Sequence, residues 1–430
     1  MDMSKKITVA IAGLGSRGKD TYARMAKLFA DRMELVAVAD IVPEKVEEAV
    51  REYHIPKERC FDSAESLLKE ERLADILFIC TMDKQHYGHA IPALEKGYHL
   101  LLEKPVSPNL SECREIEEAA KRYKRHVVVC HVLRYTPFYG ELKRLIDAGT
   151  IGDVVSIQAI ENVAYWHQAH SFVRGNWRNS NETSPMILQK SCHDMDILLW
   201  LAGKHCERVS SFGGLRLFKP ECAPEGAAAR CLDGCKVKEN CPFDAERFYI
   251  TDGVLKGKTG WPMDVLALHP TEESIRKALE CGPYGRCVYH CDNNVVDHQV
   301  VNMELEGGAT VSFTMCAFTS RSHREIKIMG TKGDIAANMG DNIIDVGVFG
   351  KEHRYIDVNK LASDFSGHAG GDNRMVSELL DLVAGTADGK TALTSIDRSL
   401  ESHYAALAAE YSRLHGGKSV ELADFVREKA

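Results

Sequence analysis

Between Val9 and Gly18 the chain reads VAIAGLGSRG, an apolar strand running straight into G-x-G-x-x-G and then into a helix-like stretch over residues 21–29. Each glycine of such a turn has its own reason. Gly13 supplies the tight bend, Gly15 lets the backbone approach a pyrophosphate, and Gly18 lets helix and strand pack closely. The phosphates then sit at the helix N-terminus, against Leu14, Ser16 and Arg17. A second strand over residues 34–39 ends at Asp40, 22 residues beyond Gly18, where a carboxylate can bind a ribose 2′-hydroxyl. That carboxylate repels a 2′-phosphate, and Ile41, Val42 and Pro43 offer no arginine to offset it. This segment is a dinucleotide site that favours NAD over NADP.

Strand and helix patterns alternate through the first 130 residues: strands at 74–80, 99–102 and 126–130, helices at 87–96 and 110–123. Continuous apolar strands separated by helices predict a parallel, doubly wound sheet of the Rossmann type. Beyond Arg134 the segments 154–163, 209–218, 299–305, 310–318 and 326–329 alternate apolar with polar residues and are joined by glycine turns, which is the pattern of antiparallel hairpins. Helices are expected over 185–202, 373–383 and 397–414. The predicted architecture is therefore α/β: a doubly wound NAD-binding domain over 1–133, then an α+β substrate and oligomerisation domain over 134–430 with an open, largely antiparallel sheet. A chain of 430 residues with 44% hydrophobic residues has ample sequence for two cores. A net charge of −8 argues against a nucleic-acid surface, and no run of about 18 apolar residues predicts a membrane span. A cytoplasmic location is expected.

Candidate chemistry collects at the strand ends. The strand at 99–102 ends in Glu103-Lys104-Pro105, where proline holds Lys104 extended at the edge at which open α/β sheets bind ligands. The preceding strand is followed by a loop from Thr81 to His86, and Arg134 follows the last strand of the first domain. Thr81, His86, Glu103, Lys104 and Arg134 are accordingly expected around the cofactor. In the predicted helix 185–202, Gln189, His193 and Asp196 share one stripe, flanked by Lys190 and Asp194, on an otherwise apolar helix. Tyr165, Arg174 and Trp177 lie on the loop before it, and His368 sits among glycines before a later helix; these are candidate sugar-binding groups.

Together the glycine turn, the threonine loop ending in His86, Glu103-Lys104-Pro105 and the helix carrying His193 and Asp196 resemble the Gfo/Idh/MocA family of NAD(P)-dependent sugar and cyclitol oxidoreductases, over nearly the whole chain. The resemblance implies that Lys104 and His193 contact substrate hydroxyls beside the nicotinamide. It also implies hydride transfer at a ring carbon of a sugar, glycoside or cyclitol, and a dimer or tetramer paired through the C-terminal sheet. One departure stands out: many members carry aspartate four residues before the histidine, and this chain has Gln189, which cannot raise the basicity of His193 as a carboxylate would. Two alternatives stay open at this point: a redox-neutral glycosidase that uses NAD transiently, and a dinucleotide-binding regulator without turnover.

Seven of the 14 cysteines, Cys222, Cys231, Cys235, Cys241, Cys281, Cys287 and Cys291, fall in an insertion spanning about 219–292. Cys231-x₃-Cys235-x₅-Cys241 is mirrored by Cys281-x₅-Cys287-x₃-Cys291, and such spacings let thiolates converge on one ion. One structural zinc held by Cys231, Cys235, Cys241 and Cys291, with Cys287 as substitute, is expected. An iron–sulfur cluster or free thiols are the alternatives.

Overall fold

The computed structural model describes residues 6–387 and 391–429. Residues 1–5 and 430, at the outer ends of the two expected domains, lie outside the described residues. Strands β1 (Ile7–Ala12), β2 (Met33–Ala39), β3 (Cys60–Phe61), β4 (Ile76–Ile79), β5 (His99–Leu102) and β6 (Val127–Val129) form one parallel sheet in the order 3-2-1-4-5-6. Its central strands are buried on both faces, which is why they read as unbroken apolar runs. One face packs Ala10, Leu77 and Leu100 against Ala90, Leu94 and Ile116 of the helices His86–Glu95 and Leu110–Tyr123. The other packs Ile11, Phe78 and Leu101 against Tyr22 and Met25, and also against Met375, Leu379 and Leu380 of the helix Ser366–Ala384.

The nucleotide-binding layer is thus completed by the C-terminal end of the chain. Ile396 and Leu400 of the helix Ile396–Leu414 join its first face, and the Val129 amide donates to the Thr394 carbonyl.

The second sheet comprises β7 (Val154–Ala164), β8 (Cys206–Gly214), β9 (His298–Leu305), β10 (Ala309–Thr319), β11 (His323–Gly330), β12 (Gly333–Asn338), β13 (Ile343–Val348), β14 (Arg354–Asp357) and β15 (Val420–Glu421), in the order 14-13-12-11-7-10-9-8-15. Its neighbours are antiparallel except β7 and β10. Along β10, Ala309, Val311, Phe313, Met315 and Ala317 are buried and the residues between them face outward. The buried face packs on Leu142 and Leu145 of the helix Pro137–Asp147, Met195 and Leu198 of Cys192–Ala202, and Ala405 and Ala409 of Ile396–Leu414.

Two expectations need correction. The strand expected at 209–218 runs instead from Cys206 to Gly214, after which Asp297 Oδ2 turns the chain by accepting from the amides of Arg216 and Leu217. The single helix expected over 185–202 is two, Met186–Gln189 and Cys192–Ala202, broken at Lys190 and Ser191. The cysteine-rich insertion lies between β8 and β9 as a lobe with two small apolar clusters of its own. It reaches across to the nucleotide-binding layer, where His269 Nε2 lies 2.9 Å from Glu48 Oε1.

Candidate active site

The order of the first sheet reverses between β1 and β4, and a crevice opens there beyond the strand C-termini. A cleft of about 1120 Å³ occupies this place. Each strand end contributes to it: Leu14–Arg17 after β1, Cys80–Met82 after β4, Glu103 and Lys104 after β5, Cys130 and Leu133 after β6. Gly13 holds φ +92, and a Cβ there would meet the Cys80 carbonyl at 2.7 Å; a Cβ on Gly18 would fall 1.8 Å from the Gly13 oxygen. A Cβ on Gly15 would meet nothing within 4 Å, so its bareness serves the cleft and not the packing. Asp40 accepts the Leu14 amide at 2.5 Å and the Val42 amide at 2.9 Å, which fixes its carboxylate at the glycine turn. These residues fit a dinucleotide. Lys19 and Lys45 also line this end of the cleft, which sequence spacing did not bring out.

At the inner end, Glu103 accepts from Arg17 Nε at 2.6 Å, from the Tyr22 hydroxyl at 2.8 Å and from the Lys104 amide at 3.0 Å. Burial raises the cost of its charge, and Arg17 and Lys104 outweigh that cost, holding the carboxyl below its ordinary range. Arg17 also reaches Asp372 Oδ1 at 2.7 Å, tying the glycine turn to the helix Ser366–Ala384, and Asp372 in turn accepts from His368 at 2.9 Å. Lys104 Nζ donates to the Gln189 carbonyl at 2.7 Å. That carbonyl ends the helix Met186–Gln189, which breaks at Lys190 and Ser191, and Lys104 takes it. The break therefore places Lys104 beside His193. His193 lines the cleft, its Nδ1 is buried without a partner, and burial together with Lys104, His131 and Arg324 pushes its pKa well below the ordinary histidine value. The Gln189 side chain turns away to donate to the Trp177 carbonyl at 2.8 Å.

Lys190, Trp177 and His368 also line the cleft, as does Thr81. Several expected ligands do not. Asp196 and Arg134 form a buried two-pronged ion pair at 2.7 and 2.6 Å, and Arg134 also caps the carbonyls of Leu393 and Arg398, so this pair rivets the junction. Asp194 is bound to Arg324 behind the cleft wall. His86 is buried between the carbonyls of Pro105 and Thr81 and holds the two strand-end loops together. Arg174 is 3% exposed and donates to the carbonyls of Arg286 and Phe243 inside the lobe, and Tyr165 packs on Phe243 there.

The zinc expectation also needs correction. Cys231, Cys235, Cys241 and Cys287 line one small cavity, yet among the described residues no group of three or more His, Cys, Asp or Glu is placed to hold a metal ion. The sulfurs have other occupations: Cys231 Sγ accepts from Arg174 at 3.6 Å and from the Ala245 amide at 3.5 Å, and Cys291 Sγ points to the Cys287 carbonyl at 3.3 Å. Spacing brought the thiols into one lobe, and packing around Arg174 and Phe243 disposed of them differently.

Groups the sequence reading missed include Arg324, Glu161 and His131. Arg324 on β11 faces Glu161 on β7 directly across the ladder, and both share the core-facing parity of their strands, with Ile326 and Ile157. A charge on the inward parity of a strand was the available signal. His131 is fully buried with neither ring nitrogen bonded, edge-on to His193 at 6.1 Å and to His403 at 5.3 Å.

Fold and cleft together define a two-domain, dinucleotide-binding protein. The chain belongs to the Gfo/Idh/MocA oxidoreductase family: residues 7–131 match its NAD-binding Rossmann fold and residues 143–422 its C-terminal alpha/beta domain. It is 24% identical to YteT of Bacillus subtilis over 341 residues, covering 77% of this chain and 76% of YteT. It is 27% identical to inositol 2-dehydrogenase of Corynebacterium glutamicum over 210 residues, 48% of this chain and 57% of that enzyme. The WlbA dehydrogenase of Chromobacterium violaceum, solved with NADH and UDP-GlcNAcA, has the same fold: TM-score 0.67 at 20% identity, over 97% of this chain and 96% of that one. The protein is thus an NAD-dependent oxidoreductase, and none of these relatives supports the redox-neutral glycosidase alternative.

Proposed function

We propose that this oxidoreductase interconverts a secondary alcohol and a ketone at a ring carbon of a sugar, glycoside or cyclitol, with Lys104 and His193 as the catalytic residues. The observation that carries this reading is their convergence: an ammonium held at the end of β5 and a neutral imidazole meet in one cleft, beside the glycine turn at the switch point. Leu14, Gly15, Ser16, Arg17, Asp40, Thr81 and Glu103 would hold NAD, whose nicotinamide takes up or returns the hydride. Lys104 orients the reacting oxygen by a charge-assisted hydrogen bond and stabilises negative charge on it. His193 accepts the hydroxyl proton in oxidation and gives it back in reduction. Trp177, Trp261 and Tyr284 along the cleft offer flat apolar faces for a sugar ring.

Titration calorimetry with NAD⁺ and NADP⁺ tests the cofactor half of the reading, and a clear preference for NADP⁺ would sink the Asp40 argument. Stoichiometric NADH formation with a ketone product tests the chemistry. The chain is also proposed to pair through its second sheet, whose outer face leaves Val155, Phe212, Val300, Phe318 and Ile343 exposed. Sedimentation at micromolar concentration is expected to give a dimer or tetramer, and a monomer there counts against it.

A further inference from the structure

Resting on that reading, we propose that the substrate is an acid sugar, a hexuronate or its glycoside, and that Lys190 and Arg324 bind its carboxylate beside the reacting carbon. The substrate end of the cleft presents three cations and no carboxylate free to meet a ligand. Lys104, Lys190 and Arg324 line it, together with His167, His193 and Asn176, and the acids that neutralise two of these cations stand behind them. Lys190 Nζ lies 3.0 Å from Glu161 Oε1, while Arg324 Nε lies 2.8 Å from Glu161 Oε2 and 2.7 Å from Asp194 Oδ1. Glu161 and Asp194 are buried and do not line the cleft. They fix the two cations in place and leave the other Lys190 hydrogens and Arg324 Nη1 for a ligand.

Other acids reach the cleft elsewhere. Asp20, Glu44 and Asp264 lie at its dinucleotide end near Lys19 and Lys45, and Glu103 is taken by Arg17, Tyr22 and the Lys104 amide. A neutral sugar would neutralise none of this charge, and the wall offers no carboxylate to accept from its hydroxyls. A carboxylate accepts only, and it matches the planar fork of a guanidinium. Three cations against two acids leave one positive charge on this wall, which suits a monoanion better than a phosphate dianion. His167 shares the cleft with all three cations, and its pKa is driven well below its ordinary value by burial first and then by Lys190, with His170, Arg324 and Lys104 adding to the shift.

The test is steady-state NADH formation by the full-length enzyme with glucuronate, galacturonate and mannuronate, their parent hexoses, and the corresponding hexose 6-phosphates. Binding of the same compounds to the NADH-loaded enzyme is followed by calorimetry. We expect at least one hexuronate to exceed its parent hexose about tenfold or more in kcat/KM, and Lys190→Gln to bring that ratio down toward one. Arg324→Lys, which keeps the charge against Asp194 and Glu161 but loses the fork, is expected to raise KM for the acid more than it lowers kcat. Parent hexoses or hexose phosphates that match or surpass the acids overturn the proposal, as does a ratio unchanged in Lys190→Gln. Hexuronate binding that depends on Lys190 but gives no NADH supports the subsite and overturns the dehydrogenase reading alone.

Discussion

In the proposed reaction Lys104 and His193 act on one oxygen from two sides, so truncating either should be costly in its own way. Lys104→Ala and His193→Ala are each expected to lower kcat/KM by about 10²-fold or more on a turned-over substrate, the usual size of an acid–base contribution, with NAD⁺ affinity little changed for His193→Ala. Turnover within a few-fold of the parent enzyme would remove the catalytic assignment. The same burial that keeps His193 neutral sets a stability profile. His170 and His403 are both held down at about 3, by burial first and then by Arg174 and by His131 respectively. In the unfolded chain they titrate near 6.5, so below that pH the unfolded state binds more protons. Their contribution is fully present above about pH 6.5 and is lost as the pH falls toward 3. Thermal unfolding followed from pH 8 to 4 should show Tm level near neutrality and falling below 6.5; His403→Gln should flatten part of that fall. Lys104 and His193 were legible in the sequence as candidates, because they belong to motifs with fixed spacing. Their partners were not, because the pairings of Arg17 with Asp372 and of Arg324 with Glu161 join residues more than 150 positions apart.

Among the elements, the glycine turn and the broken helix do the positioning. The turn is over-determined by packing: Gly18 sits against the Gly13 carbonyl, a backbone atom that cannot move aside as a flexible side chain could. Gly18→Ala should therefore weaken NAD⁺ binding by about tenfold or more and lower Tm, and a folded variant that binds NAD⁺ within twofold of the parent would show the turn to be more pliable than its geometry. Periodicity located the longer strands of the first sheet, because buried parallel strands are continuous apolar runs, but not β3 or the helices Pro43–Tyr53 and Ala64–Lys69. It missed the break at Lys190. An apolar pattern runs through the break unchanged, and the interruption is settled by Lys104 taking the freed carbonyl of Gln189. Strands β12 to β14 were also missed: Gly333–Asn338 and Ile343–Val348 are short, rich in small residues, and defined only by their neighbours in the ladder.

In the whole molecule, the chain crosses between its two sheets more than once, and a buried ion pair fastens the crossing. Arg134 leaves the end of the first sheet, Asp196 comes from a helix under the second, and the carbonyls of Leu393 and Arg398 come from the returning C-terminal segment. Asp196→Ala should leave Arg134 charged and unpaired, costing about 3–5 kcal/mol in urea unfolding. A loss under 1 kcal/mol would show that water reaches the guanidinium and that the junction is open. The doubly wound sheet, the glycine turn beside Asp40, and Lys104 and His193 as candidates were all readable without the fold. All of these are encoded in local spacing and periodicity, where a few consecutive residues suffice. Packing alone settled which polar residues face the cleft and which are spent on one another, that Asp196 and Arg134 form a rivet, and that the described thiols of the insertion are not arranged as a metal site. Those outcomes depend on which distant charges and donors the fold brings within 3 Å, and a buried polar group takes the nearest partner that offsets its desolvation, wherever in the chain that partner lies.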